Sequence, residues 1–272
     1  VVLASGTNSA DALAASSLAT SKSAPILLTK RNEIGKNVFD EIKRLNANNV
    51  IVVGGKVSIS EKVVSDLKDK NITVKRLAGD NRYETSYEIA KELLKSNKAK
   101  EAIIVNGFKN VDALSVSSLA TKENLPILLN DGNRLSKDIK NIVEDSNIKK
   151  MYIIGGKTSL PRRIEDNIKA LDVEYERLAG EDRYETSSKI AKYAYENSDK
   201  VILASGENSI DALAAGVLTK MEKAPMLLVQ KRRIPKSISN RIEESKAKKF
   251  LLIGGEKTIS DRVKDKVEGL LK

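Results

Sequence analysis

The chain has 272 residues, 40% of them hydrophobic and 31% charged, with a formal net charge of +11 and no cysteine, histidine or tryptophan. Those absences exclude disulfides, thiolate nucleophiles, Cys/His metal sites and any Ser-His-Asp arrangement, leaving carboxylates, lysines and hydroxyls as the only catalytic groups available. The longest apolar runs, such as 24–28 and 50–53, fall far short of the roughly 18 to 20 residues of a membrane-spanning helix, and the basic balance favours polyanionic partners.

In chain order, Ala10-Asp11-Ala12-Leu13 comes first and is echoed by Val111-Asp112-Ala113-Leu114 and Ile210-Asp211-Ala212-Leu213. Pro25-Ile26-Leu27-Leu28 returns as Pro126-Ile127-Leu128-Leu129 and Pro225-Met226-Leu227-Leu228, and Gly54-Gly55 returns as Gly155-Gly156 and Gly254-Gly255. A fourth segment, running from Arg76-Leu77-Ala78-Gly79 through Arg82-Tyr83-Glu84-Thr85-Ser86, recurs once, from Arg177 to Ser187. The period of about 100 residues is too long for a solenoid repeat and matches a small domain.

In the middle copy, apolar spacing predicts a helix over 84–94, a buried strand over 102–105, a helix over 112–120 and a strand over 126–129. A helix over 136–143, a strand over 151–154, a helix over 161–170 and a strand over 173–177 follow. Short apolar strands alternating with helices predict an α/β fold: three tandem Rossmann-like or flavodoxin-like sandwiches, each with a parallel sheet covered on both faces. The copies divide as 1–75, 76–176 and 177–272, so the first lacks its opening segment. Its missing helix is expected from a segment outside these residues or from another polypeptide.

Each Gly-Gly pair follows an apolar strand and precedes a helix expected to open at a hydroxyl: Ser58 or Ser60, Ser159, and Thr258 or Ser260. Exposed amides at such a turn, with Lys56 and Lys157 beside the first two pairs, outline an anion site, although tight-turn geometry explains the glycines more simply. The complete dinucleotide and Walker patterns are absent. Asp11, Asp112 and Asp211 are expected to cap their helices, and one acid per copy is a poor basis for acid–base catalysis. The Pro-Ile-Leu-Leu segments are expected as core strands. Arg82 and Arg183, in a loop entering a helix, suit phosphate or carboxylate, and equally an internal pair with Glu84 or Asp80, or with Glu185 or Glu181.

Taken together, these four motifs in register closely resemble the cell wall binding repeat 2 family of clostridial S-layer and cell-wall proteins. The resemblance covers essentially the whole chain. It implies three Rossmann-like modules in a pseudo-threefold triangle, and secretion to the wall or S-layer of a Gram-positive bacterium. It also implies non-catalytic, non-covalent anchoring to an anionic, teichoic-like secondary wall polysaccharide, with no cofactor or metal. Polymer contacts are expected from Arg76, Arg82, Arg177 and Arg183 and, as the resemblance implies, from Pro25 to Leu28, Pro126 to Leu129 and Pro225 to Leu228. Another S-layer subunit or the missing opening segment is a further expected partner; nucleic acid is disfavoured by the few aromatic side chains. Two departures stand out: Phe108 follows Gly107 where a polar residue is expected, and Glu256 replaces the lysine after the third Gly-Gly pair. The competing reading is a Rossmann-like nucleotide- or phosphate-binding protein, an enzyme included, built on the Gly-Gly turns.

Overall fold

The computed structural model describes residues 1–109 and 114–271. The first unit comprises β1 (Val2–Ser5), α1 (Ser9–Ser21), β2 (Ile26–Thr29), α2 (Lys36–Arg44), β3 (Asn49–Val53), α3 (Glu61–Lys68) and β4 (Thr73–Leu77). Then come α4 (Arg82–Ser96), β5 (Glu101–Asn106), α5 (Ser117–Glu123), β6 (Ile127–Asn130), α6 (Lys137–Asp145), β7 (Lys150–Ile154), α7 (Arg162–Lys169) and β8 (Glu174–Leu178). The last stretch holds α8 (Arg183–Ala194), β9 (Lys200–Ser205), α9 (Ser209–Ala215), α10 (Leu218–Met221), β10 (Met226–Val229), α11 (Lys236–Ser245), β11 (Lys249–Ile253) and α12 (Asp261–Leu270).

Every strand pairing is parallel. The orders are β2-β1-β3-β4, β6-β5-β7-β8 and, among the described residues, β10-β9-β11. These are the three parallel α/β units expected from the alternation of elements, with the flavodoxin-like 2-1-3-4 order. Strand β1 is buried along its whole length, as a sheet with helices on both faces requires: Val2, Leu3, Ala4 and Ser5 are all buried.

The Arg-Leu-Ala-Gly segment divides between neighbours. Its strand half, β4, pairs along β3, with Arg76 beside Val52. Its helix half, α4, crosses to the next sheet and packs on β6 and α6, just as α8 packs on β10 and α11. Asn81 caps α4 by accepting from the amides of Tyr83 and Glu84. The helix therefore starts at Arg82, ahead of the 84–94 span expected, and Thr85 and Ser86 lie inside it. Ile89 and Leu93 of α4 are fully buried, contributing about 1.5–3 kcal/mol each.

Helix α1 is buried nearly all round from Ala10 to Thr20. Its alanines and serines leave room for close neighbours: it meets α4, α5 and α9, while α5 meets α10. The helices that follow the first strand of each sheet thus converge on one centre, and a single apolar cluster joins all three units through Leu13, Leu18, Leu119, Leu129, Leu213 and Leu228. Helix α1 also leans on β6 of the second unit and α9 on β2 of the first, which closes the triangle. At the first joint Lys75 of β4 pairs with Glu92 of α4 at 2.6 Å. The second joint holds Lys150 paired with Glu176 at 2.7 Å and the hydroxyls of Tyr152 and Tyr193 at 3.1 Å.

Two local expectations are corrected. The helix expected over 112–120 begins at Ser117; residues 110–113, with Val111, Asp112 and Ala113, lie outside the described residues. After the Gly-Gly turns, Ser60 and Ser260 stand at the helix N-caps, but in the middle unit Pro161 does, not Ser159. Proline suits a helix entry because the first amides have no helical acceptor to lose.

Candidate functional site

The three motifs of the first unit meet at the C-terminal ends of β1 and β3, where the chain order reverses and open α/β sheets bind ligands. There a cleft of about 630 Å³ is lined by residues that include Asn8, Asp11, Lys56, Arg76, Asp80 and Arg82. Asn8, not Asp11, caps α1, accepting from the Ala10 amide at 3.3 Å; Asn208 repeats this for α9 with Ile210 at 3.2 Å. The capping role expected of Asp11 and Asp211 therefore falls to the asparagine three residues earlier, whose side chain is placed to reach the second helical amide. Asp11 is only 2% exposed and turns instead to the Gly-Gly loop, within 3.4 Å of the Asn8 amide. Burial pushes its carboxyl up, opposed by the Ser58 hydroxyl and the Arg82 charge.

Gly54 explains why this aspartate and the glycine pair recur together. Its φ of +108° lies in the region favourable only to glycine, and a Cβ there would stand 2.6 Å from Asp11 Oδ2. In the third unit Gly254, at φ +126°, would place a Cβ 2.5 Å from Thr258 Oγ1 and 3.0 Å from Asp211 Oδ2. The second glycines differ: a Cβ on Gly156 or Gly255 meets nothing within 4 Å, so the backbone there faces open space. Lys56 and Lys157 beside them are exposed.

The four arginines all bind backbone carbonyls. Arg76 donates to Gly54 O at 2.7 Å, and Arg177 to Gly155 O at 2.6 Å and Leu160 O at 2.9 Å, with Glu165 at 2.7 Å. Arg82 donates to Gly107 O at 2.8 Å and Arg183 to Gly206 O at 2.6 Å, each reaching from the N-terminus of its helix to the end of the following strand. Two of the internal carboxylate partners considered for Arg82 and Arg183 are otherwise engaged: Glu84 accepts from the Asp80 amide and Asn81, and Glu185 from the Glu181 amide. Arg82 thus ties the first cleft to the second unit. Its guanidinium remains part of the cleft lining, because a single N–H donor is committed to Gly107.

This construction, three parallel sheets with a Gly-Gly turn at the end of the third strand of each, is matched among known proteins. The profile of the family described as Cell wall binding domain 2 (CWB2) matches residues 1–64, 76–165 and 177–264. The chain belongs to this family. Among solved structures, Cwp6 from Clostridium difficile superposes with a TM-score of 0.93 at 32% identity, over all of this chain and 43% of that one. Cwp8 from the same organism gives 0.90 at 30%, over all of this chain and 47% of that one. N-acetylmuramoyl-L-alanine amidase LytC of Bacillus subtilis (strain 168) is 27% identical across 98% of this chain and 52% of its own length. The amidase enhancer of the same strain is 30% identical across 94% of this chain and 34% of its own. The chain spans about half or less of the length of these relatives. It is a cell-wall-binding domain, and its place is the cell surface.

The CWB2 Pro-Ile-Leu-Leu strands are not equally accessible. In the second and third units Pro126, Ile127, Leu128 and Leu129, and Pro225, Met226, Leu227 and Leu228, are all buried, under α4 and α8. Ser86 of α4 accepts from the Leu129 amide at 3.0 Å and Ser187 of α8 from the Leu228 amide at 3.2 Å, satisfying the outward-facing donors of these edge strands. In the first unit no equivalent helix lies over β2 among the described residues; Ile26 is buried, while Pro25, Leu27 and Leu28 are half-buried. Asn8 and Asn208 escaped the motif search, and Ser86 and Ser187 stood in the repeated Arg-Leu-Ala-Gly segment without a role assigned to them. Asn-Ser-x-Asp before an apolar run, at Asn8 and Asn208, was the legible N-cap signal.

Proposed function

We propose that this CWB2 chain anchors a surface protein non-covalently to an anionic, teichoic-like secondary wall polysaccharide, without catalysing a reaction, on the outside of a Gram-positive cell. The observation that carries this reading is the cleft at the first joint, where Lys56, Arg76 and Arg82 face Asp80 and an Asp11 whose charge is disfavoured by burial. Three cations gathered in one cleft beside a glycine turn suit a phosphate or carboxylate group on a polymer.

The repeats 1–75, 76–176 and 177–272 would then contribute unequally. Arg177, Arg183, Gly155, Gly156 and Lys157 repeat the arrangement at the second joint. Gly254 and Gly255 of the third unit lack the following lysine, with Glu256 in its place. Among the Pro-Ile-Leu-Leu strands, Pro25, Leu27 and Leu28 offer surface to a polymer; the other two strands act by holding the sheet edges. Several weak sites on one polymer give avidity when geometry lets them engage together. A further partner, a strand–loop–helix segment outside these residues or on another subunit, would find a groove of about 450 Å³ between Gly6, Leu28 and Ile210, the place that α4 and α8 occupy in the other units.

Cosedimentation with isolated walls, before and after hydrofluoric acid extraction of phosphate-linked polymers, tests this reading. Binding should disappear on extraction, return when soluble polymer is added back, and weaken as salt rises. Undiminished binding to stripped walls would overturn it.

A further inference from the structure

Phe108 is 67% exposed, in a chain with three phenylalanines and no tryptophan. A single exposed apolar side chain means little by itself, but this one is held in place. The Arg82 guanidinium carbon stands 4.5 Å from the ring centroid and covers one face. Tyr83 meets the ring edge-on, with centroids 6.0 Å apart and planes at 74°. Because Arg82 is itself fixed to Gly107 O, the phenylalanine is fixed as well, with its remaining face turned to solvent.

Tyr83 also lines the neighbouring cleft, of about 480 Å³, together with Asn81, Asp131, Asn133 and Arg163. Its hydroxyl is buried and has no hydrogen-bond partner among the described residues. Burial, and then the Asp131 charge, push that phenol up, which keeps the ring neutral behind Phe108. The carboxylates of Glu84, Asp131 and Asp138 around this cleft outnumber the cations of Arg134 and Arg163. A polyanion backbone is therefore unwelcome here, in contrast to the cleft of the first unit, whereas a neutral polyol finds amide and carboxylate partners.

We propose that Phe108 and this cleft form a saccharide subsite: a neutral pyranose stacks its apolar face on Phe108 and directs its hydroxyls to Asp131 and Asn133. The subsite is confined to the middle unit, because the corresponding positions are Thr7 and Glu207. This deepens the wall-polysaccharide reading and rests on it. The charged clefts take the anionic groups of the polymer, and the middle unit reads its sugar.

Phe108→Trp places a single indole at the site of a chain that has no other, so its emission reports on this position alone. Titrated with wall polysaccharide stripped of phosphate by hydrofluoric acid, it should show a saturable change that persists at high salt, since stacking is not screened. In parallel, Phe108→Leu should weaken wild-type wall binding roughly three- to tenfold, within the range of one aromatic contact, while Phe108→Trp retains it. Leucine binding as tightly as phenylalanine, on walls that the wild type does bind, would overturn the proposal. So would an indole that ignores the sugar or responds only to single-stranded nucleic acid. A wild type that ignores walls altogether would instead overturn the anchoring function, and the indole titration would still decide the subsite.

Discussion

Ser86→Ala is a small change with a computable consequence. The Ser86 hydroxyl is 1% exposed, donates to Tyr83 O at 2.7 Å and accepts from the Leu129 amide at 3.0 Å. Alanine removes one atom and improves helix propensity by a few tenths of a kcal/mol. However, it strands the outward amide of a buried edge strand, which costs about 1–3 kcal/mol. The net expectation is a loss of about 1–2 kcal/mol, read as a lower urea midpoint with unchanged slope and a fall in Tm of roughly 2–4 °C per kcal/mol. Amide exchange at Leu129 should accelerate along with it, while Leu228, held by Ser187, keeps its protection. Stability within about 0.5 kcal/mol of the wild type, the range of an ordinary surface substitution, with Leu129 exchange unaltered, would refute the assignment of this hydroxyl as the edge cap.

Other outcomes follow from the same geometry. Gly54→Ala combines an unfavourable φ with a Cβ 2.6 Å from Asp11, so thermal unfolding should show a loss of about 1–3 kcal/mol, partly recovered in Gly54→Ala/Asp11→Ala. Arg177→Ala breaks bonds to Gly155 and Leu160 and leaves Glu165 buried and unpaired. Denaturant titration should show a loss of about 3–5 kcal/mol, exceeding that of Arg76→Ala, whose Glu61 partner is exposed. Asp11 has a raised carboxyl pKa, so the folded state holds its proton longer than the unfolded chain. Its contribution therefore falls as pH rises from about 3.9 through the folded pKa, and Asp11→Asn should flatten that decline and raise the Tm at neutral pH. Lys56→Ala, at an exposed position paired with Glu61 at 3.7 Å, should leave the Tm unchanged while reducing wall cosedimentation and its salt dependence.

The repeats and the alternation of apolar strands with helices were legible residue by residue, because a buried parallel strand needs an unbroken apolar run and its helices need the 3.6 period. The sequence alone thereby determined the three-unit α/β architecture and, through four motifs in register, the family. Only the tertiary structure decided the partnerships. Asp11 looked like a cap, yet its carboxylate faces a turn more than forty residues away. Arg82 and Arg183 suited a ligand and an internal carboxylate equally well, yet each spends a donor on a backbone carbonyl at the end of the following strand. The three Pro-Ile-Leu-Leu strands differ only by Met226 in the last, but α4 and α8 bury two of them and leave the first half open. Spacing along the chain reports periodicity because periodicity is local; the partner of a polar side chain is set by how sheets and helices distant in sequence are packed together, and no local pattern encodes it.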